Sequence, residues 1–340
     1  MKLQWLKLCF GFFILFIILF TYAYLRWKTF NESLIFERIF NARKLDRTSL
    51  SPPLILTWTT YFSDPWDRNI KQSLNDCAYH CIITDDNKQL LKAAAVLFHI
   101  RDLGRLPKFR DPEQLFVFVL QESPFYTFNY LDFVTEDYFN ITMTYRRDSD
   151  IYMPYGMMKK ITNLTPRERI WNWSEVVKIA SSKVQSILQL VSNCHTKSKP
   201  QHHFYLAFEN SICRDYITEK LFKCLARLIV PVVLKRSIYE GILPSGSFIA
   251  ADDFASPREL ADYLQYLLNN NTAYLSYLKW TKHYEKTFGV SSYCELCKYL
   301  HQGIVGSRII ADIRKWWFQG CIEDYAVSLM EKTKTNSSFH

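Results

Sequence analysis

The chain alternates short unbroken apolar runs with segments whose apolar residues recur every three or four positions, which predicts strands alternating with helices. Leu54 to Thr60 is a strand candidate. Leu115 to Leu120 is a continuous apolar run of the kind buried on both faces, closed by Gln121-Glu122-Ser123-Pro124. Asp85 to Val96 reads as a loop and helix leading into the apolar run Ala93 to Ile100. Further on, Phe204 to Phe208 ends in the polar cluster Glu209-Asn210-Ser211, and a tight polar loop, Arg214-Asp215-Tyr216, follows. Thr218 then caps a helix with Glu219 and Lys220 in its first turn, which gives way to the β-branched run Ile229 to Val233. This βαβ unit gathers polar groups at the C-terminal end of its first strand, where parallel sheets bind ligands. A helix N-terminus there favours anions, and a first-turn Lys adds a point charge for phosphate. An ordinary βαβ unit with a solvated loop fits the same pattern, since no glycine-rich fingerprint accompanies it. A strand at Ser247 to Ala250, a loop at Asp252-Asp253-Phe254 and a helix from Pro257 to Asn269, opened by Ser256, continue the alternation, with Tyr274 to Tyr284 helical. The expected class is parallel α/β in two domains.

Residues 8–25 form an uncharged, mostly apolar run long enough to cross a bilayer as a slightly short helix. Lys2 and Lys7 precede it and Arg26 and Lys28 follow, so flanking charge does not set its orientation. A cleaved signal peptide is the alternative, with Thr21-Tyr22-Ala23 as a passable cleavage site, but the run is longer than a usual signal core. The sequons at Asn31, Asn140, Asn163, Asn172, Asn270 and Asn336 suit a body outside the cytosol. The chain has 9 Cys, among them the pair Cys294 and Cys297 at CxxC spacing. That spacing serves zinc, redox chemistry or structural disulfides. No second CxxC or paired His accompanies it for zinc and no thioredoxin-like context for redox, so structural disulfides fit an oxidising compartment best. The net charge of +9 is spread rather than striped, without zinc-finger spacing or a basic helix, which excludes a nucleic-acid reading. With 49% hydrophobic residues in 340, large cores are available and global disorder is excluded.

At 204–234 the chain resembles a known family. FYLAFENS, DYITEKLF and VPVVL look like the donor-binding signature of the α1,3-fucosyltransferases, family ten of the glycosyltransferases, which use GDP-fucose. The likeness extends to residues 82–107, to FVFVLQESP at 116–124, to YRRDSDIYMPYG at 145–156, to SFIAADDFASPREL at 247–260 and to SYCELCKYLH at 292–301. It implies a GT-B-like fold, two Rossmann-like domains facing a cleft, behind a single N-terminal transmembrane helix. It divides the chain into a cytosolic tail (1–7), signal anchor (8–25), stem (26–53), acceptor-side domain (54–156), interdomain loop (157–176), GDP-fucose-binding domain (177–325) and tail (326–340). It also implies a single-pass type II protein of the Golgi membrane with its catalytic domain in the lumen. The implied reaction is inverting transfer of L-fucose from GDP-fucose to O3 of an N-acetylglucosamine in a glycan, with no required cofactor.

The resemblance assigns roles residue by residue. Glu122 is the catalytic base candidate, at a cleft-facing strand end restrained by Pro124; physics alone favours a solvated Glu before a loop, and the likeness of QESP to the family reverses that. Lys220, with the helix N-terminus, would meet the diphosphate. Glu219 and Tyr216 would contact fucose or ribose hydroxyls, and Ser192 and Asn193 would line the donor pocket. Glu209 and Asn210 close the strand end and stay open between ligand contact and structural role. Cys77 and Cys81 would pair with Cys294 and Cys297. Trp316 and Trp317 read as packing residues rather than a sugar platform, and Asp252 and Asp253 as loop-holding acids rather than a metal pair. In one place the chain departs from the family. After Cys194 only residues 195–203 precede the next strand, where the family carries a further βα repeat and an Arg that meets the diphosphate. Hence a rival reading: a catalytically silent member or splice form acting as a luminal binding protein.

Overall fold

The computed structural model describes residues 17–28, 52–127, 129–188, 202–303 and 309–337. The chain divides at Pro52 into two units. Within the first, residues 17–28 are helical. Among the described residues no helix is long and apolar enough to cross a membrane; residues 8–16 of the apolar run lie outside them.

The second unit is built on two parallel sheets. The first contains β1 (Leu54–Thr57), β2 (Ile82–Thr84), β3 (Ala95–His99), β4 (Leu115–Leu120), β5 (Ile141–Thr144) and β6 (Ile151–Tyr152), in the order β2-β1-β3-β4-β5-β6. Every pairing is parallel. Strand alternation explains the unbroken apolar runs. Phe116, Phe118 and Leu120 enter one core with Phe98 and Phe139, while Leu115, Val117 and Val119 enter another with Leu97 and Met143. The order reverses between β1 and β3, which opens a crevice at their C-terminal ends.

The second sheet holds β7 (Gln185–Leu188), β8 (His202–Leu206), β10 (Val230–Val233) and β11 (Ile249–Ala250), in the order β11-β10-β8-β7 and all parallel. A separate antiparallel pair joins β9 (Ile212–Cys213) to β12 (Cys321–Ile322). The helix Glu219–Ala226 is capped by Thr218, whose Oγ1 accepts from Lys220 N at 3.4 Å. The helix Pro257–Asn269 starts at Ser256, which accepts from Glu259 N at 3.1 Å, while Glu259 accepts from Ala255 N at 2.7 Å.

Several expectations change. Residues 85–96 hold a 3₁₀ turn, Asn87–Lys92, rather than a helix. Residues 274–284 break into the end of the helix Asn271–Ser276 and a 3₁₀ turn, Lys279–Lys282. His202 and His203 open β8 instead of lying in a loop, and His203 Nδ1 bonds Gln185 O at 2.9 Å. The stretch 157–176 is only partly a loop. Its first residues run beside 283–288, with Ile161 N donating to His283 O at 2.8 Å, and its last belong to the helix Trp173–Ser181. The segment 292–318, grouped from sequence with the second domain, returns to the first sheet. Leu296 joins the core of Val117, and Ile313 and Trp317 join the core of Phe118. Cys77–Cys294 and Cys81–Cys297 disulfides fasten that return. Gly156 is required where the chain passes between halves, because a Cβ there would meet the Phe222 ring at 2.6 Å.

Candidate functional site

The two halves meet where their strand-end motifs touch. Ser123, after β4, and Ser211, after β8, share a hydrogen bond of 2.6 Å between their hydroxyls, both buried. This contact brings Glu122 into the field of Glu219 and Lys220. Burial raises the Glu122 carboxyl above its ordinary range, Arg101 pulls it back, Glu219 adds to the rise and Lys220 opposes it. No hydrogen bond joins this carboxyl to another described residue, so it is left able to accept a proton.

Around Glu122 stand residues that sequence reading did not single out. Tyr61 OH donates to Gln121 Oε1 at 3.0 Å, and burial with Glu122 nearby pushes its phenol up to about 12. Tyr155 OH donates to Gln121 O at 2.9 Å. His99 is fully buried, with Nδ1 at 2.7 Å from Asp102 Oδ2. Tyr155 and Arg101 lie within the runs that carry the resemblance, which was the available signal. Tyr61 had none.

On the other side, Lys220 Nζ donates to Phe208 O at 2.9 Å and lies 3.7 Å from Glu209 Oε2. Glu219 is half-exposed and pairs with Lys223 at 3.8 Å. Glu209 closes on Thr218. It accepts from Thr218 N at 2.7 Å and Thr218 Oγ1 at 2.8 Å, and burial raises it to about 7. Asn210 is exposed and lines a cleft of about 610 Å³ together with Glu209, Phe125 and Tyr126. Tyr216, read as a sugar contact, is 3% exposed. Its ring packs 4.9 Å from Tyr145 inside the core that also holds Trp317. Ser192 and Asn193 lie outside the described residues.

The remaining candidates find other work. Asp252 accepts from Arg236 N at 2.8 Å and from Tyr325 OH at 3.1 Å, and Asp253 pairs with the Arg236 guanidinium. Trp317 is fully buried in the core. Among the described residues, the one cluster at metal-ligand spacing is Cys81, Cys297 and His301, and its two sulfurs are bonded to each other. Of the sequons, Asn163 and Asn172 are exposed, and Asn270 is half-buried. Asn140 is fully buried, its Oδ1 accepting from Phe116 N at 2.7 Å, which leaves no room for a glycan in the folded chain. Asn31 lies outside the described residues, and Asn336 falls within the last helix, Tyr325–Ser337.

Comparison with known proteins adds to this geometry. The fucosyltransferase N-terminal family model matches residues 50–156, and the C-terminal model of glycosyltransferase family 10 (fucosyltransferase) matches residues 168–316. Alpha-(1,3)-fucosyltransferase C of Drosophila melanogaster is 33% identical over 342 aligned positions, covering 81% of this chain and 80% of its own. That alignment is longer than this chain of 340 residues, so the relative carries residues without counterpart here. The 4-galactosyl-N-acetylglucosaminide 3-alpha-L-fucosyltransferase 9 of Mus musculus is 34% identical, covering 78% of this chain and 82% of its own. A crystal structure of alpha1,3-fucosyltransferase with GDP-fucose aligns at 15% identity with a TM-score of 0.48, covering 78% of this chain and 94% of the other. With both family models matched in order and relatives at a third identity over most of their length, the chain belongs to the fucosyltransferases of glycosyltransferase family 10.

Proposed function

We propose that the chain transfers L-fucose from GDP-fucose to O3 of an N-acetylglucosamine in a glycoprotein or glycolipid glycan, with inversion. The observation that carries this reading is the Ser123–Ser211 bond of 2.6 Å, which sets the strand end bearing Glu122 against the loop leading to Lys220. In this reading Glu122 takes the acceptor proton as O3 attacks the anomeric carbon and the bond to GDP breaks. The raised proton affinity that burial gives Glu122 suits this task near neutral pH. Lys220 exchanges its Phe208 carbonyl for the leaving diphosphate, assisted by the N-terminus of the helix Glu219–Ala226. Asn210 and Glu219 supply hydroxyl contacts, and Ser192 and Asn193 line the same pocket. A lysine and a helix N-terminus supply the charge stabilisation of a GT-B site without a metal. Two parallel sheets meeting at their C-terminal strand ends support that architecture, with residues 54–156 and the returning segment 292–318 as one half and the rest of 177–325 as the other. We assign the chain to the Golgi membrane as a type II protein anchored by residues 8–25. Glycans would then sit at Asn31, Asn163, Asn172, Asn270 and Asn336.

A catalytically silent, glycan-binding member is the second reading. The observation favouring it is the short stretch between β7 and β8, where the resemblance implies a further βα repeat. Calorimetry of the full chain with GDP, followed by a transfer assay with GDP-fucose and N-acetyllactosamine, separates the two. GDP binding with fucose transfer upholds the enzyme. A well-folded chain without transfer upholds the silent member.

A further inference from the structure

The loop between β8 and the helix Glu219–Ala226 carries the donor signature but has little structure of its own. Three contacts set its path. Glu209 ties its ends together through Thr218. Asp215, at φ +62°, accepts from Arg147 N at 3.1 Å and Arg147 Nε at 2.9 Å. Between these, β9 pairs with β12, Cys213 stands opposite Cys321, and the two are joined by a disulfide. Arg214 N donates to Gly320 O at 2.9 Å. Gly320 has φ +85°, and a Cβ there would lie 3.0 Å from Arg214 Cβ, so any larger residue here is strained. This middle contact alone comes from beyond the family-model match, which ends at residue 316.

The segment making it is itself anchored. Buried Arg146 donates to Trp316 O, Trp317 O and Gln319 O at the end of the helix Ile313–Phe318. Trp317 Nε1 donates to Thr127 Oγ1 at 2.8 Å, and its ring lies 5.3 Å from Tyr145, which in turn packs on Tyr216. One continuous set of contacts therefore runs from the first sheet through the C-terminal segment into the donor loop. Residues 322–327 continue as a wall of the cleft that Glu209 and Asn210 line.

We propose that residues 313–322 are a positioning element for donor binding. Through β12 and the Cys213–Cys321 bond they hold residues 214–218 in the form that receives the nucleotide diphosphate. This rests on the donor-site reading of that loop. Without the clamp the loop must be ordered at the moment of binding, which weakens affinity for the nucleotide while leaving the chemistry at Glu122 alone. The coupling is reciprocal: if the bonded form binds GDP more tightly, GDP makes the bond harder to reduce by the same factor.

The test uses the full chain, the variant C213S/C321S and, as a disulfide control away from the loop, C77S/C294S. Amide hydrogen exchange without ligand, GDP calorimetry and the split between KM and kcat are the readouts. In C213S/C321S exchange at 214–218 should quicken, GDP affinity should fall about tenfold and the GDP-fucose KM should rise with kcat hardly changed. C77S/C294S should lower Tm without moving either loop exchange or GDP affinity. Unchanged exchange, or faster exchange with unchanged GDP affinity, overturns the proposal. If C213S/C321S does not fold, the wild-type chain is equilibrated with dithiothreitol. That reagent breaks the S–S bond, leaves two thiols and becomes its cyclic disulfide. GDP should protect Cys213 and Cys321 from reduction, and equal reduction with and without GDP overturns the proposal. A wild-type chain that binds no GDP fells the donor-site reading, while the exchange data still decide the clamp.

Discussion

The two parallel sheets are finished differently. In the first, every residue of β3, β4 and β5 is buried, and both faces are covered by their own cores. In the second, β10 is equally buried, but among the described residues the sheet ends at β7, where Ile187 is 46% exposed and the preceding Val184 is 78% exposed. A partly apolar edge of this kind is a liability that native sheets normally cover. It stands where the chain passes from β7 to β8 with few residues. The catalytic base candidate therefore sits on the closed half and the donor grip on the open one. Chemistry and nucleotide affinity should respond to different lesions.

That contrast breaks most visibly at the base. Glu122→Gln should lower kcat by about 10²–10⁴-fold while GDP binding holds, because an amide cannot take the acceptor proton. Near-normal transfer by this variant removes Glu122 from the mechanism. Next in size is packing. Phe118→Ala empties a fully buried site between strands and should cost about 3–5 kcal/mol in urea unfolding. Ile187→Ala on the open edge should stay within about 0.5 kcal/mol. Equal losses at the two positions mean that β7 is covered in solution.

Lys220→Ala should weaken GDP binding by about 1.5–3 kcal/mol through loss of a charge-assisted phosphate contact, read by calorimetry, with stability nearly unchanged. A pH-dependent effect concerns Lys183, buried beside β7, whose Nζ donates to Leu228 O and, at 2.9 Å, to Tyr274 OH. Burial pulls its ammonium down from 10.5 to about 7. Between those values the unfolded chain holds more protons, so stability rises with pH through that window. Below pH 7 both states are charged and the penalty is constant. The slope approaches about 1.4 kcal/mol per pH unit. Urea midpoints at pH 7, 8 and 9 should climb more steeply for the wild-type chain than for Lys183→Met.

Much of this was legible along the chain. The run Leu115 to Leu120 announced a strand buried on both faces, and the Ser256, Pro257 and Glu259 spacing announced a helix start. What local pattern could not show were partners far away in sequence. The burial of Tyr216 was hidden because its packing depends on Trp317 and Tyr145. Glu209 was ambiguous until Thr218 closed on it. The pairing of Cys213 with Cys321 follows from a two-residue antiparallel contact that carries no periodicity. The return of residues 292–318 to the first sheet was likewise hidden, because an amphipathic helix does not say which core it covers.

The Cys77–Cys294 bond, which spans 217 residues, also sets a clock for the chain's synthesis. At about 5–20 residues per second, Cys77 is made roughly 10–40 s before its partner exists. Throughout that interval the first sheet lacks the helix Ser292–His301 that completes it, and Cys77 and Cys81 stay open to premature partners. The nascent chain thus depends on thiol exchange to hold those sulfurs available until the last fifth of the molecule arrives.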